Sequence, residues 1–328
     1  MNSILKIAIC LTVMINKCMS DQILNVNNIP ELQLAISSAK TGDTIILKDG
    51  IYSDDFSLTL KASGVKVQAQ TLGGVKLTGG ASFTIKSNGN TFSGFQFIGG
   101  SNVNPVEYAW GSFGNNNTIT QCNFFNLMAK FYVYVAADRY YNMISYCNFE
   151  NKPANAPGGP TLKLATSIGG SHHRVSYCTF QNFPGGGGDF GNEPIRLGGG
   201  EFFTTSFQPV MRAIVEYSYW KNTSLGDDES ISIKSNENII RYNVFENNPG
   251  GMVKFRMGDA NIVHSNFFIK GSGGISIKEA SNALIFNNYF DGTNGYTKRY
   301  KKKMLDRYFI LFYGKIKQIV LNTQRLEC

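Results

Sequence analysis

The stretch NIIRYNVFENN at residues 238–248 contains a motif that recurs along most of the chain. A polar residue, often Asn, precedes Ile or Val, and a small residue and an aromatic residue follow. Apolar and polar side chains alternate within each copy, which is typical of a short, half-buried β-strand. The other copies are NTFSGFQFIGG (90–100), NNNTITQCNFFN (115–126), YNMISYCNFEN (141–151), HRVSYCTFQN (173–182), AIVEYSYWKN (213–222), NIVHSNFFIKG (261–271) and ALIFNNYFDG (283–292).

The spacing of these copies predicts a solenoid. One copy cannot bury its apolar face alone, whereas stacked copies cover one another. We therefore predict an all-β fold, a single-stranded right-handed parallel β-helix, in which like residues stack about 4.8 Å apart. Columns of Phe and of Asn are expected along the stack. The aromatic residue of the motif recurs every 22 to 40 residues, at Phe97, Phe124, Phe149, Phe180, Trp220, Phe245, Phe268 and Phe290.

Three of the six cysteines occupy one position of the motif, two residues before the aromatic residue: Cys122, Cys147 and Cys178. We predict that they form a ladder of buried free thiols, because neighbours in register seldom offer disulfide geometry. The chain has no C-x-x-C pair and no metal-binding cysteine spacing.

The regions outside the repeat predict the domain organisation. Residues 1–20 have the basic start and short apolar run of a signal peptide, with a short membrane anchor as the alternative. Residues 21–292 are predicted to form the β-helix domain. Residues 28–39 (NIPELQLAISSA) predict a helix that Asn28 caps and that covers the open end of the stack. Residues 293–328 lack the repeat and are predicted to be a basic tail that is disordered or not native to the fold.

The charge distribution limits the possible partners. The chain carries a net charge of +8, but residues 298–328 alone hold nine Lys or Arg and two Asp or Glu. The β-helix body is therefore close to neutral, which argues against nucleic-acid binding along it. We expect a secreted, extracellular monomer without a membrane span.

The segment GDDESISIKSNEN at residues 226–238 holds the densest group of polar side chains. Lys234 and Arg256 lie 22 residues apart, close to one coil, so stacking would make them neighbours on the outer face. Nearby carboxylates could hold a hard cation such as Ca²⁺, or they could form surface salt bridges. Lys234 has the opposite strand parity to Glu229, so a corner or bulge is needed to bring them together.

The segments NEPIRLG, DESISIKSNENIIRYNVF and FRMGDANIVHSNFF, in this chain order, resemble polysaccharide lyase family 6, the alginate lyases and chondroitinase B-like enzymes. The resemblance covers residues 25–292. It implies that Lys234 is the catalytic base and Arg256 the catalytic acid, and that Arg196 contacts substrate. It also implies a Ca²⁺ site at Asp227, Glu229 and Asn192.

The chemistry that the resemblance implies is β-elimination on a uronate polysaccharide, with alginate favoured over dermatan or chondroitin. The base removes the proton on C5 of the uronic acid, and the 4-O-linked sugar leaves. That proton is weakly acidic beside a charged carboxylate, which a cation can neutralise. A neighbouring cation would also lower the pKa of Lys234, which must be neutral to accept a proton.

Several positions depart from the family pattern. The usual Asn ligand falls on Phe190, so that Asn192 or Asp189 would have to replace it. Met257 stands where the family has His, and Ser276 where it has Arg. These departures motivate a second hypothesis, a catalytically inactive β-helix that binds polysaccharide or has a structural role. Hydrolysis by paired carboxylates is a weaker alternative, because only one acidic cluster is present.

Overall fold

The fold is described from a computed structural model. It covers residues 21–99, 106–166, 169–183, 192–199, 209–223, 229–248, 253–271, 273–278, 280–291 and 309–311. One helix, α1 (Ile29–Ser38), follows the first strand. The strands of the first half are β1 (Ile23–Val26), β2 (Thr44–Leu47), β3 (Gly50–Tyr52), β4 (Phe56–Leu60), β5 (Lys66–Ala69), β6 (Val75–Leu77), β7 (Ala81–Ile85), β8 (Thr91–Ser93), β9 (Phe95–Ile98), β10 (Val106–Ser112), β11 (Thr118–Thr120), β12 (Asn123–Phe125), β13 (Ala129–Val135), β14 (Met143–Ser145) and β15 (Asn148–Glu150).

The second half continues the same order of short strands. These are β16 (Leu162–Leu164), β17 (Arg174–Ser176), β18 (Thr179–Gln181), β19 (Ile195–Gly198), β20 (Ile214–Glu216), β21 (Tyr219–Lys221), β22 (Ile231–Lys234), β23 (Ile239–Arg241), β24 (Val244–Glu246), β25 (Val253–Met257), β26 (Ile262–His264), β27 (Phe267–Ile269), β28 (Ile275–Ile277), β29 (Leu284–Phe286), β30 (Tyr289–Asp291) and β31 (Phe309–Leu311).

The strands form three parallel sheets that share one core. The twelve-stranded sheet runs β1-β2-β5-β8-β11-β14-β17-β20-β23-β26-β29-β31. The ten-stranded sheet runs β3-β6-β9-β12-β15-β18-β21-β24-β27-β30, and the nine-stranded sheet runs β4-β7-β10-β13-β16-β19-β22-β25-β28. Successive strands of each sheet come from successive coils, so the predicted right-handed parallel β-helix is confirmed.

The aromatic column is present as predicted. Ring centroids of consecutive members lie between 4.1 Å (Phe180–Trp220) and 5.5 Å (Trp220–Phe245), and the rings are stacked. The column runs through Phe97, Phe124, Phe149, Phe180, Trp220, Phe245, Phe268 and Phe290. Such stacking removes both faces of an interior ring from water, which makes the column a major part of the core.

The cysteine and asparagine ladders are also confirmed. Cys122, Cys147 and Cys178 are buried and free. The later coils hold Asn at the same position, and the Asn243 backbone N–H donates to the Oδ1 atom of Asn266 at 2.9 Å. The Asn266 N–H donates in turn to Asn288 Oδ1 at 3.0 Å. Each buried amide thus satisfies the backbone of the coil before it.

The helix α1 covers one end of the stack. Asn28 is its N-cap and accepts a hydrogen bond from the Glu31 N–H at 2.9 Å. Leu32 and Ala35 are buried against the core, whereas Leu34 is exposed because it lies on the outer side of the helix. The capping helix is therefore confirmed, with Ile29 and Ile36 completing its buried side.

Some regions named in the sequence analysis lie outside the described residues. Residues 1–20, with the predicted signal, are among them, as is most of the tail. Within the tail, Phe309–Leu311 pair in parallel with Leu284–Phe286 as a further strand of the twelve-stranded sheet. No helix in the described ranges has the length and apolar character needed to span a membrane.

Candidate active site

The outer surface of the nine-stranded sheet carries a group of charged side chains on neighbouring coils. Register pairs Lys163 with Arg196, Arg196 with Ser232, and Ser232 with Lys254 on successive coils. The residues on either side point inward, so Leu162, Leu164, Ile231 and Ile233 are buried in the core. We call the following residues the charged face: Lys163, Glu193, Arg196, Glu229, Lys234, Lys254 and Arg256.

Lys234 and Arg256 lie on adjacent strands at an irregularity of the sheet. Ile233 pairs with Phe255, but Lys234 pairs with Met257, so Arg256 is the extra residue of a β-bulge. A bulge changes the direction of nearby side chains and is common beside active sites. Here it lies next to the end of β22, where Lys234 is half-buried.

Glu229 lies just before β22 and is almost fully buried. Its Oε1 atom is 3.1 Å from Arg256 Nε and 3.2 Å from Lys254 Nζ. The carboxylate therefore connects two cations of the next coil. A buried carboxylate needs such partners, since a bare charge in the protein interior is costly.

Burial and neighbouring charges lower the pKa of Lys234. Partial burial is the largest cause, and the positive charge of Arg196 is the next; Glu193 opposes the shift, and Arg256 adds to it. Each lowering cause disfavours the ammonium form. At a given pH a larger fraction of Lys234 is therefore neutral, and able to accept a proton, than of an exposed lysine.

Arg196 is fixed by an ion pair that the sequence motif did not reveal. Its Nε atom lies 2.5 Å from Glu193 Oε1. Burial raises the pKa of Glu193, but the hydrogen bond and charge of Arg196 outweigh burial, and the pKa lies below its ordinary value. The Oε2 atom of Glu193 is buried without a hydrogen-bond partner among the described residues.

Two further lysines of this region were missed in the sequence. Burial and the charge of Arg196 lower the pKa of Lys163 to about 8. Lys152 is buried and donates to the carbonyl oxygens of Lys130 at 2.8 Å and Gly159 at 2.5 Å. Burial lowers its pKa to about 7. Lys163 could have been found by its coil register with Arg196, but Lys152 lies in an irregular segment without such a signal.

Of the residues predicted to hold calcium, Glu229 and Asn192 lie within the described residues. Asp227 lies outside the described residues, as do Phe190 and Asp189. Asn192 Oδ1 accepts a long hydrogen bond, 3.5 Å, from the Gly159 N–H. The described part of the chain contains no cluster of three His, Cys, Asp or Glu side chains suited to a metal ion.

The groups around Glu229 argue against a divalent cation there. Carboxylate and amide oxygens are the ligands that Ca²⁺ prefers. The Glu229 oxygen, however, already contacts an ammonium and a guanidinium group. The described residues therefore do not fit a Ca²⁺ ion at this carboxylate unless one of the two cations moves.

The histidines are not part of this site. His173 is buried, and its Nδ1 atom accepts a hydrogen bond from the Asn142 N–H at 3.1 Å. His172 stacks on Tyr141 with ring centroids 5.1 Å apart. His173 thus has a hydrogen-bonding role, and His172 makes a ring contact.

Comparison with known proteins places this fold in a family. A family model described as Chondroitinase B matches residues 26–306. The PL6 family alginate lyase AlyGC is 25% identical with a TM-score of 0.71, over 82% of this chain and 38% of that one. A PL6 family polysaccharide lyase from Pseudopedobacter saltans is 23% identical with a TM-score of 0.68, over 83% of this chain and 64% of that one.

A PL6 alginate lyase in complex with a trisaccharide also has this fold, with 19% identity and a TM-score of 0.69, over 83% of this chain and 60% of that one. The chain thus spans less than two thirds of the length of each of these relatives. No curated protein sequence matches it. The family match extends over most of the chain, and the resemblance found in the sequence is confirmed: the chain belongs to the chondroitinase B family, the PL6 polysaccharide lyases.

Proposed function

We propose that this protein is a lyase that cleaves a uronate-containing polysaccharide by β-elimination, with Lys234 as base and Arg256 as acid. One observation carries the proposal. Lys234, whose pKa is lowered, ends β22 beside the bulge that contains Arg256 on β25. A proton acceptor and a proton donor on adjacent strands are what an elimination across one sugar bond needs.

The proposed reaction moves one proton to the enzyme and one to the product. Lys234 Nζ takes the proton from C5 of the uronic acid, and the C5–H electron pair becomes the C4=C5 double bond. The bond from C4 to the bridging oxygen breaks with its electron pair on that oxygen. Arg256 donates a proton to the oxygen as it leaves, and Arg196 holds a substrate carboxylate.

The charge of the face supports an anionic substrate. Among the described residues of this face, Lys163, Arg196, Lys254 and Arg256 outnumber the two carboxylates, Glu193 and Glu229, even with Lys234 neutral as the base; each carboxylate is close to a cation. A surface with excess positive charge attracts a polyanion and fixes its register. We favour alginate over dermatan or chondroitin, because the similar solved structures include alginate lyases.

Secretion is part of the proposal, since residues 1–20 have the pattern of a signal peptide. The calcium site that the family resemblance predicts at Asp227, Glu229 and Asn192 is not part of this proposal. No step above passes through a metal ion.

The proposal is tested by following ultraviolet absorbance of unsaturated uronate with alginate, polymannuronate, polyguluronate and dermatan sulfate. We expect turnover on at least one polymer and a loss of about 10²–10⁴-fold in kcat for Lys234→Ala, the range that one general acid–base group supplies. The control is Lys66→Ala, which removes an exposed lysine from the twelve-stranded sheet. No turnover on any polymer, or turnover that is unchanged in Lys234→Ala, would contradict the proposal.

The alternative is a protein that binds polysaccharide without cleaving it. Two positions favour it. Met257 pairs with Lys234 where the family has His, and Ser276 pairs with Lys254 where the family has Arg, so neither side chain can supply the expected charge. Affinity electrophoresis in alginate gels separates the two functions. Retardation without any ultraviolet product favours binding alone, whereas turnover that requires Lys234 excludes it.

A further inference from the structure

Glu229 and Lys254 form a buried ion pair that the proposed acid and base do not require. Glu229 is 3% exposed and Lys254 is 4% exposed. Their Oε1 and Nζ atoms lie 3.2 Å apart, within direct charge contact. Removing two charges from water is costly unless their mutual attraction compensates for it, so such a pair is rarely incidental.

The position of Lys254 follows from the register of the coils. Its Cα partners are Ser232 on one side and Ser276 on the other, which leave space for a long side chain. Lys254 and Arg256 are two residues apart and share the outer face of β25. Their side chains therefore approach the same carboxylate, that of Glu229.

A divalent cation at Glu229 would have to share that carboxylate with two positive groups. Each like charge within a few ångströms opposes it, and in a buried site this repulsion is only weakly screened. Arg256 is needed in the proposed reaction, whereas Lys254 has no part in it. Lys254 is thus the group that competes directly with a metal ion.

We propose that the Lys254 ammonium group takes the place of a divalent cation at Glu229, so that this lyase site needs no calcium. The expectation that turnover needs no calcium rests on the proposed function. The expectation about calcium affinity at Glu229 does not. Lys254 supplies fixed positive charge at the floor of the charged face, beside Arg256. The wild-type protein then has no calcium affinity at Glu229, and neutralising Lys254 creates it.

The test measures Ca²⁺ binding by isothermal titration calorimetry on wild-type protein, Lys254→Met and Lys254→Gln. Methionine keeps most of the length of lysine, and glutamine keeps a polar end, so at least one variant is expected to retain the fold. Circular dichroism and thermal unfolding check this. We expect no binding by the wild type up to millimolar Ca²⁺ and a gain of at least about tenfold in affinity in the folded variants, since a like charge at contact distance is lost.

Two controls separate this effect from a general change in charge. Lys254→Arg keeps the cation and should keep calcium out. Lys163→Ala removes a cation from the same column of the sheet without touching Glu229 and should not create binding. If the protein is an active lyase, its rate should also survive treatment with a chelator.

Stoichiometric Ca²⁺ binding by the wild type that Lys254→Met leaves unchanged would overturn the inference. So would folded Met and Gln variants that bind no better than the wild type. Because the calorimetry needs no substrate, these outcomes are independent of turnover. An inactive protein that gains calcium affinity in Lys254→Met would contradict the proposed function and keep the present inference.

Discussion

The interior aromatic column and the charged face belong to the same stack of coils but follow opposite rules. In the interior, like stacks on like, and the rings of Phe124 and Phe149 are 5.0 Å apart and nearly parallel. On the outer face of the nine-stranded sheet, the residue changes at almost every coil, from Lys163 to Arg196 to Ser232. Uncharged ladders gain from repetition, whereas ladders of like charge lose by it.

This difference separates stability from function. Where the charged face does stack two cations, Lys163 and Arg196, the pKa of Lys163 falls to about 8, through burial and then through the charge of Arg196. Glu193 and Glu229 interrupt the positive charge and hold Arg196 and Arg256 in place. The repeat therefore supplies a rigid frame, and departures from the repeat supply the chemistry.

The largest expected effect comes from removing one ring in the middle of the aromatic column. Phe180 stacks between Phe149 at 4.8 Å and Trp220 at 4.1 Å. Phe180→Ala should cost about 3–5 kcal/mol of unfolding free energy, as for other fully buried aromatic residues. Urea unfolding followed by circular dichroism measures it.

The matched control for this change lies at the end of the same column. Phe290 is only partly buried and stacks on Phe268 at 4.7 Å. Phe290→Ala should cost clearly less than Phe180→Ala. Equal losses for the two variants would contradict a column whose contribution depends on contacts from both neighbouring coils.

The repeat made most of the interior predictable from sequence. The Phe, Asn and Cys columns were all found because each coil places the same residue in the same environment. The charged face was harder, because its partners are set by register between coils of unequal length. Lys234 and Arg256 could be paired by spacing, but the bulge at Arg256 and the contact of Lys254 with Glu229, which precedes β22, lie outside the repeat. Sequence periodicity carries neither feature.

The next largest effect on the free energy of unfolding tests a position where the interior does not stack like on like. In one buried ladder, Asn117 and Asn142 each accept a hydrogen bond from a backbone N–H of the coil before, and His173 continues this ladder. Burial, and then the charge of His172, lower the pKa of His173 from 6.5 to about 4. The unfolded chain therefore binds a proton more readily than the folded chain between these two values. The contribution of His173 to the free energy of unfolding is fully present above pH 6.5. It is lost as the pH drops towards 4, by about 3 kcal/mol in total.

His173→Asn restores the asparagine of the ladder and removes the titrating group. The variant should lose less stability than the wild type when urea unfolding is compared at neutral pH and near pH 4, by up to about 3 kcal/mol. Its stability at neutral pH should change little, apart from the smaller volume of asparagine. An unchanged acid dependence would show that His173 keeps an ordinary pKa in the fold.

The smallest expected effect is a shift in a pH profile. It tests whether neighbouring charges on the charged face set the pKa of Lys234. Arg196 is the strongest charge that lowers the pKa of Lys234, while Glu193 raises it. Arg196→Gln removes the positive charge that lowers this pKa and leaves the negative charge of Glu193, so the pKa of Lys234 should rise. The acidic limb of kcat against pH, where activity rises as the base becomes neutral, should then move to higher pH. The matched control is Arg174→Gln, which breaks an arginine pair with Glu216 on the twelve-stranded sheet. A shift in both variants, or in neither, would mean that the base is not governed by the cations stacked beside it.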